Sequence, residues 1–503
     1  MQPTPTSAAA GGERTSPKDM AVLRWLVAAT FIVILNETIM INAVPDLTRH
    51  FGVSDRAAAW LTTAFMLTMA VVIPITGWFL QRVTTRQAFG LAMAVFCTGT
   101  LLAAVTPQSM FWVLIVARVI QAAGTAVMMP LLMTTLMNVV PESDRGRVMG
   151  NVTLAMSVAP AMGPAVSGLI LNALSWRWMF LLVLPVAALI GLAGLRKLTN
   201  VGEPTAGSID VISVIASALG FGGLVYGLSL IGDDKAPIAP GILIAIGVAV
   251  LALFVLRQLI LQRVDRPLLD LRAFNYRTFT MSLVLMAVAF MVFLSVLFLL
   301  PQYLQKARHL SELQTGFLLM PGGLAMGLLG PRVGKVFDKV GGRPLVIPGS
   351  IAIFVSVALF TQVDLETPYA VILAMHIVMM IGLAMVFTPV FTLGLGALPQ
   401  KYYSHGSSLL GALQQVAGAA GAAVSVAVLS ARAKDLSAAG DSFESAFTGG
   451  MERAFMVGAA FAIVVVAIAF VLPGRLPEQE NPSAPVAGAS DDDLLGEAES
   501  ATV

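Results

Sequence analysis

The chain has 503 residues, of which 57% are hydrophobic and 12% are charged, and its formal net charge is +2. A soluble chain carries roughly 25% charged residues, so this chain has too few to cover a water-facing surface and must be solvated by lipid. That composition excludes soluble enzymes and disulfide scaffolds, and the lack of a basic domain argues against nucleic-acid binding. The single cysteine, Cys97, lies in an apolar run and cannot form an intramolecular disulfide.

A spanning helix needs about 20 mostly apolar residues, and the chain holds fourteen such stretches. Their apolar runs are continuous, whereas the strands of membrane barrels alternate over about ten residues. The predicted spans lie near 21–44, 57–80, 87–106, 110–131, 147–173, 178–196, 209–231, 238–260, 278–301, 314–335, 345–361, 368–393, 405–430 and 453–473. The sequence therefore predicts an all-α membrane protein with 14 transmembrane helices.

The orientation of these spans follows from the positive charges between them. Most of the 30 lysines and arginines fall in the segments on one side, which the positive-inside rule assigns to the cytoplasm. No signal peptide is apparent at the N-terminus. We therefore expect a multi-pass protein of the cell inner (cytoplasmic) membrane with both termini in the cytoplasm. The acidic, Pro- and Ser-rich segment 475–503 is predicted to be a disordered tail, with an interaction motif as the alternative.

The loops after the second and tenth spans repeat one pattern of glycine, polar residue and two cations. The matched residues are Gly77, Gln81, Arg82 and Arg86 in the first loop, and Gly334, Asp338, Lys339 and Arg343 in the second. The offset of 257 residues that matches Gly77 to Gly334 also carries the first span onto the ninth. This predicts two six-helix halves with an extra helix pair between them. Parallel repeats of this kind are typical of transporters with a site between the halves, although a duplicated structural protein would also repeat.

This repeat divides the chain into five predicted parts. They are an N-terminal cytoplasmic tail (1–20), a first six-helix half (21–200), an inserted helix pair with a cytoplasmic linker (201–272), a second half (273–474) and the C-terminal tail (475–503).

Three ionisable residues lie inside predicted spans, where a charge is expensive and indicates function. They are Glu37 in the first span, Arg118 in the fourth and His376 in the twelfth, at similar depth. We expect them to share a polar cavity and to couple transport to protons. A buried carboxylate whose surroundings change can bind and release a proton, so Glu37 is the candidate carrier. The alternatives are a static pair of Glu37 with Arg118, exposure of Glu37 to outer water, and for His376 a hydrogen-bonded core histidine.

Polar residues near these charges are predicted to line a substrate cavity. Arg118, Gln121 and Thr125 follow one another at i, i+3 and i+7 and therefore share one helix face. The full predicted set is Asn36, Asn42, Gln121, Thr125, Gln414 and Gln415.

The fifth span carries two prolines and two glycines, namely Pro160, Gly163, Pro164 and Gly168. Small residues four apart allow close helix contact, and prolines bend a helix. This pattern predicts a bent, sliding interface, with ordinary tight packing as the alternative.

The two repeated loops are predicted to act as gates through Gly77, Arg82, Arg86, Gly334, Asp338 and Arg343. Asp338 has two candidate partners, Arg343 or the positive N-terminus of a neighbouring helix. Breaking either contact would let the two halves separate.

Several motifs together resemble the major facilitator superfamily, and within it the fourteen-span drug:proton antiporters of the EmrB/QacA type. The resemblance covers about residues 20–475 and rests on Leu35-Asn36-Glu37-Thr38 ending at Pro45, the Arg118–Gly124 run, Gly163-Pro164 with Gly168, and Trp176-Arg177-Trp178-Met179-Phe180. The lincomycin-resistance subgroup is the most similar. The resemblance implies efflux of a small drug-like molecule in exchange for protons, without a cofactor.

Two residues depart from the family pattern. Gln81 stands where the family usually has an acidic residue in the first cytoplasmic loop, and Asn36 aligns with the usual first-span aspartate. The acid here is Glu37, and a one-residue shift rotates it by about 100° around the helix.

The predicted function is therefore a proton-coupled multidrug antiporter that exports amphipathic or cationic drugs or lincosamide-like antibiotics, working as a monomer in the bilayer. The alternative is an exporter of a lipid or native metabolite with incidental drug resistance. A membrane enzyme is disfavoured because the chain has no catalytic or metal-ligand motif. A channel is disfavoured because it has no filter or charged ring.

Overall fold

The computed structural model describes residues 15–201, 204–205, 207–232 and 236–475, and within these ranges it contains helices and no β-strand. The helices are α1 (Pro17–Phe51), α2 (Asp55–Leu80), α3 (Thr85–Ala104), α4 (Phe111–Val139), α5 (Arg145–Ala173), α6 (Trp178–Lys197), α7 (Val211–Ser229), α8 (Pro240–Leu261), α9 (Arg277–Gln302), α10 (Glu312–Val340), α11 (Arg343–Phe360), α12 (Tyr369–Gly396), α13 (Tyr403–Ala438) and α14 (Phe443–Val471). These 14 helices are long and apolar enough to cross a membrane. The predicted fold class is confirmed.

Polar caps fix where several helices begin. In each case a serine or threonine side chain accepts a hydrogen bond from the backbone N–H three residues later, which satisfies one of the free donors of the first turn. The capping residues are Ser16, Ser54, Thr84, Ser311 and Ser442. The cap at Ser16 starts α1 inside the segment 1–20 that was predicted as a tail. Residues 1–14 and 476–503, which hold the rest of both predicted tails, lie outside the described residues.

The two halves pack their helices in the same way. In the first half α1 contacts α4, α5 and α6, while α3 contacts α4 and α6 and α2 contacts α4. The counterpart contacts recur in the second half, where α9 contacts α12, α13 and α14, α11 contacts α12 and α14, and α10 contacts α12. Odd-numbered helices begin at one end of the bundle, predicted to be cytoplasmic, which we call the basic end. The other end is called the opposite end.

The inserted pair, α7 and α8, packs against the contact between the two halves. The two helices contact each other, and α7 also contacts α2 and α13. Gly222 of α7 faces Val71, and the Tyr226 ring lies 5.5 Å from that of Trp60. Two hydrogen bonds of 2.7 Å join Arg257 of α8 to Asp210, just before α7. The pair thus covers one side of the junction between the halves.

Hydrogen bonds fix several polar groups at the basic end of this pair. The hydrogen bonds from Arg257 hold the pKa of Asp210 down at about 2, because they stabilise the charged carboxylate. The side chain of Gln258 accepts hydrogen bonds from the N–H groups of Leu268 and Leu269 in the linker that leads to α9. That linker is therefore fixed to α8.

Glycines allow α5 and α10 to pack along much of their length. At Gly334 a methyl group would overlap the carbonyl of Gly146, and at Gly330 it would lie 2.6 Å from the carbonyl oxygen of Gly150. Further along α10, a methyl group at Gly327 would lie 2.5 Å from the Val158 side chain. Small residues at these positions let the two backbones touch, as in tightly packed membrane helices.

Candidate transport site and gates

A buried arginine lies at the centre of the first half. Arg118 of α4 is 1% exposed, and its guanidinium donates hydrogen bonds to Gln121 Oε1 at 3.0 Å, to the Leu61 carbonyl at 3.3 Å and to Asn36 Oδ1 at 3.4 Å. The Phe65 ring lies 4.1 Å from the guanidinium carbon, close enough for a cation–π contact. Groups from α1, α2 and α4 therefore converge on one buried charge. We call Arg118 with Asn36, Leu61, Phe65 and Gln121 the Arg118 cluster.

The close approach of α3 and α4 positions the polar face of α4. A methyl group at Gly99 would lie 2.6 Å from the backbone nitrogen of Gln121. At this short separation Gln121 Nε2 donates to Thr100 Oγ1 at 2.9 Å, and its Oε1 remains free to accept from Arg118. Thr125 is also buried and donates to the Gln121 carbonyl. Gln121 thus orients Arg118, while Thr125 bonds to its own helix.

Glu37 lies next to this cluster without joining it directly. Its side chain is half-buried on α1 and interacts electrostatically with Arg118. In the part of the chain that the structure describes, the carboxylate forms no ion pair with the guanidinium, and Asn36 makes the hydrogen bond instead. The static pair is therefore not formed here. The Asn42 side chain lies outside the described side chains.

His376 belongs to a separate place in the second half. It is 2% exposed on α12, and Gly322 of α10 packs so closely that a methyl group there would overlap the imidazole. Its Nδ1 has no hydrogen-bond partner among the described residues. His376 and Arg118 therefore contact different neighbours, and the polar cavity shared by Glu37, Arg118 and His376 stays a prediction.

The fifth-span motif contacts both α1 and α10. At Gly163 a methyl group would lie 2.5 Å from Thr38 Oγ1, and at Gly168 it would lie 3.1 Å from the Leu313 side chain. Pro160 is half-buried, α5 runs as one continuous helix through the motif, and the Pro164 side chain lies outside the described side chains. Gly163 therefore places α5 directly against the helix turn that follows Glu37.

The first gate joins α10 to the start of α5. Asp338 accepts hydrogen bonds of 2.8 Å from the backbone N–H groups of Gly146 and Arg147. These are free donors of the first turn of α5, at the positive end of the helix dipole. Arg343 donates instead to the carbonyls of Leu472 and Phe470. The helix N-terminus is thus the partner of Asp338, and the pair with Arg343 is not formed.

Replacing Asp338 with asparagine should slow transport roughly fivefold, because losing a charge at a helix N-terminus costs about 1 kcal/mol. The measurement is the turnover of gradient-driven transport in proteoliposomes. Asp364→Asn, at the exposed opposite end, is the control and should keep normal turnover. An unchanged rate in Asp338→Asn would contradict the gate.

The second gate joins α2 to α13 and lacks a carboxylate at the equivalent place. Gln81 Nε2 donates to the Lys401 carbonyl at 3.1 Å. Gly77 packs on His405, so that a methyl group would lie 3.1 Å from its Nδ1. Thr76, one residue before Gly77, and Ser408, one turn after His405, share a hydrogen bond of 2.8 Å. Two neutral polar contacts and one glycine therefore close this gate.

The two arginines of the first loop contact the linker that follows α6. Arg82 bonds to Gln81 Oε1 and stacks on Trp78, and a methyl group at Gly207 would lie 2.5 Å from its guanidinium. The backbone N–H of Arg86 donates to Asn200. Neither contact crosses between the halves, in contrast to that of Asp338.

Side-chain hydrogen bonds between the halves are concentrated towards the basic end. They join Thr76 to Ser408, Gln81 to Lys401, Thr134 to Ser407, Asn138 to Gln400, Arg145 to Tyr403, Gly146 and Arg147 to Asp338, and Thr153 to Thr388. The structure therefore shows the halves closed at this end.

The remaining predicted cavity residues lie on α13. Gln414 is 8% exposed, its Nε2 has no partner among the described residues, and Gln415 is half-buried. One turn along α13, a methyl group at Gly418 would lie 3.4 Å from the ring of Phe290, which is 6.2 Å from that of Phe387. Sequence reasoning missed these rings and His405, since aromatic residues are frequent throughout and only the histidine count of 4 marks His405 as unusual.

Two packed six-helix repeats with buried charges, joined by gates at one end, define a membrane transporter. The Major Facilitator Superfamily model matches residues 26–422, and the chain belongs to that family. It is a transporter and not an enzyme.

Relatives and solved structures agree with this assignment. The lincomycin resistance protein LmrB of Listeria monocytogenes is 39% identical over 462 residues, covering 91% of this chain and 97% of the relative. The multidrug resistance protein B homolog of Mycobacterium tuberculosis is 30% identical over 437 residues, covering 84% of this chain and 79% of the relative. The proton:xylose symporter XylE shares the fold with a TM-score of 0.64 at 14% identity, covering 91% and 97% of the two chains.

Proposed function

We propose that this chain is a proton-driven exporter of amphipathic or cationic drugs, including lincosamide-like antibiotics, and that it works by alternating access. The observation that carries the proposal is the buried Arg118 cluster beside the carboxylate of Glu37. Charged groups at this depth in a membrane mark ion and proton pathways. The relatives named for lincomycin resistance and multidrug resistance support a drug as the exported compound.

In this proposal Glu37 carries the proton and Arg118 makes its protonation depend on conformation. Asn36 and Gln121 hold the guanidinium close to α1. Glu37 binds a proton while the basic end is closed, and releases it to the cytoplasm after the halves separate there. Because α5 contacts α1 at Gly163, movement of α5 against α10 changes the surroundings of Glu37. Substrate and proton then bias the same two-state equilibrium.

The drug contacts are proposed on α9, α12 and α13. Gln414 offers a buried amide without a partner among the described residues, and Phe290, Phe293 and Phe387 form a cluster of rings 5.8–6.2 Å apart. Aromatic faces attract both apolar and cationic groups. His376 is proposed as a second proton site in that half.

We place the protein in the cytoplasmic membrane with both termini in the cytoplasm, as a functional monomer driven by the proton gradient without a cofactor. The distribution of lysine and arginine supports the orientation. In this orientation the basic end faces the cytoplasm.

The test is uptake of lincomycin and of a cationic dye into inside-out vesicles with an acidic lumen. A pH gradient should drive saturable uptake of at least one compound, and a protonophore should abolish it. Vesicles without the protein are the control. Equal uptake in both vesicle types, with the protein correctly inserted, would contradict drug export, and lipids and native metabolites would be tested next.

A further inference from the structure

A buried histidine lies in the gate between α2 and α13 and takes no part in the cycle described above. His405 is 4% exposed, and its Nδ1 has no hydrogen-bond partner among the described residues. Gly77 packs against both its ring and its backbone, at 3.1 Å and 3.3 Å from the position of a methyl group. Gly77 therefore contacts one side of the imidazole closely while the gate is closed.

The N-terminus of α13 and three charged side chains lie near His405. It is the third residue of α13, near the positive end of the helix dipole. The charged groups facing it are Arg82 from the loop after α2, and Asp270 and Arg272 from the linker before α9. Asp270 favours an imidazolium, but it already accepts two hydrogen bonds from Nε and one from Nη2 of Arg272.

We propose that His405 is a proton-responsive site of the transport cycle, distinct from Glu37 and His376, and that its protonation opens the α2–α13 gate. The proton binds more weakly in the closed gate, where the imidazole is buried and unpaired, than in the open gate, where water solvates it. A group that binds protons more tightly in one state shifts the equilibrium towards that state as the pH falls. Acidification at the basic end therefore favours separation of the halves.

The comparison of the two gates supports this assignment. Asp338 closes the α5–α10 gate with a carboxylate, whereas Gln81 occupies the repeat-equivalent position in the α2–α13 gate and does not titrate. His405 supplies a titratable group in the gate that lacks the carboxylate. The inference rests on the alternating access of the proposed function, but on neither its substrate nor its coupling residue.

The experiment measures gate opening by distance, without drug or gradient. Spin labels replace Arg86 and Lys401, which are exposed on either side of the gate, in a chain with Cys97→Ser. The substitutions Glu37→Gln, His376→Gln and Asp338→Asn are present throughout, so that these three groups do not contribute. Between pH 7.5 and pH 5.5, a range that brackets the ordinary imidazole pKa of about 6.5, the closed-to-open ratio should fall about tenfold.

His405→Gln in the same background should reduce this response to less than about twofold. His50→Gln is the control, because it also removes a histidine but lies exposed at the opposite end of the bundle, and it should keep the tenfold response. His405→Asn replaces the glutamine variant if that variant does not insert. A full response without His405, or no response with it, overturns the proposal. Absence of drug transport alone would count against the proposed function. It would not affect the distance measurement, which uses neither drug nor gradient.

Discussion

Replacing Glu37 with glutamine should abolish proton-driven drug transport, with a loss of about 100-fold or more in the initial rate. Glutamine keeps the size and polarity of the side chain but cannot bind and release a proton. The reaction then lacks its driving ion, although substrate can still bind. A 100-fold loss corresponds to about 2.7 kcal/mol. The measurement is the initial rate of dye uptake under a fixed pH gradient in proteoliposomes.

Exchange of labelled for unlabelled drug without a gradient separates coupling from folding. The Glu37→Gln protein should retain this exchange, because alternating access still moves the loaded carrier in both directions. Glu366→Gln, which changes an exposed carboxylate in the α11–α12 loop, is the matched control and should keep both activities. Normal gradient-driven uptake by correctly inserted Glu37→Gln would rule out the proton-carrier role.

A single methyl group at Gly334 should slow transport at least about tenfold. The Cβ of alanine would overlap the carbonyl of Gly146, so α5 and α10 could no longer meet at the basic end. Asp338, one turn further along α10, would lose its position over the first turn of α5. The closed state is therefore destabilised, and the halves should remain apart at this end.

Gly241→Ala is the matched control, because a methyl group there meets nothing within 4 Å. It should leave the rate unchanged. Both variants are compared by turnover and by labelling of a cysteine placed at Arg147, which should become more reactive only in Gly334→Ala. Normal turnover of Gly334→Ala would show that the glycine contact is dispensable.

The fold could be predicted from the sequence because lipid imposes simple requirements on it. A helix must satisfy its own backbone in the bilayer, so continuous apolar runs reveal each span. The loop motif that begins at Gly77 recurs at Gly334, and this repeat predicted the division into two similar halves. Helix ends were less predictable, since α1 and α13 extend well beyond their apolar runs as far as Phe51 and Ala438.

The site was less predictable because depth in the membrane does not determine which helix face meets which neighbour. Glu37, Arg118 and His376 share a predicted depth, but the Arg118 guanidinium bonds to α1, α2 and α4 whereas His376 packs on Gly322 of α10. Asn36 and Glu37 are adjacent in sequence, and only Asn36 contacts the guanidinium. The partner of Asp338 depends on a crossing between α10 and α5, which are far apart in the chain, whereas Arg343 is close to Asp338 only in the sequence.

The position of the inserted pair makes the transporter asymmetric towards the lipid. Since α7 lies over the junction of α2 with α13, a compound dissolved in the bilayer cannot approach the halves from that side without displacing a helix. The junction of α5 with α10 has no such cover among the described helices. A drug that partitions into the membrane before transport would therefore approach from the α5–α10 side, and only after these two closely packed helices separate.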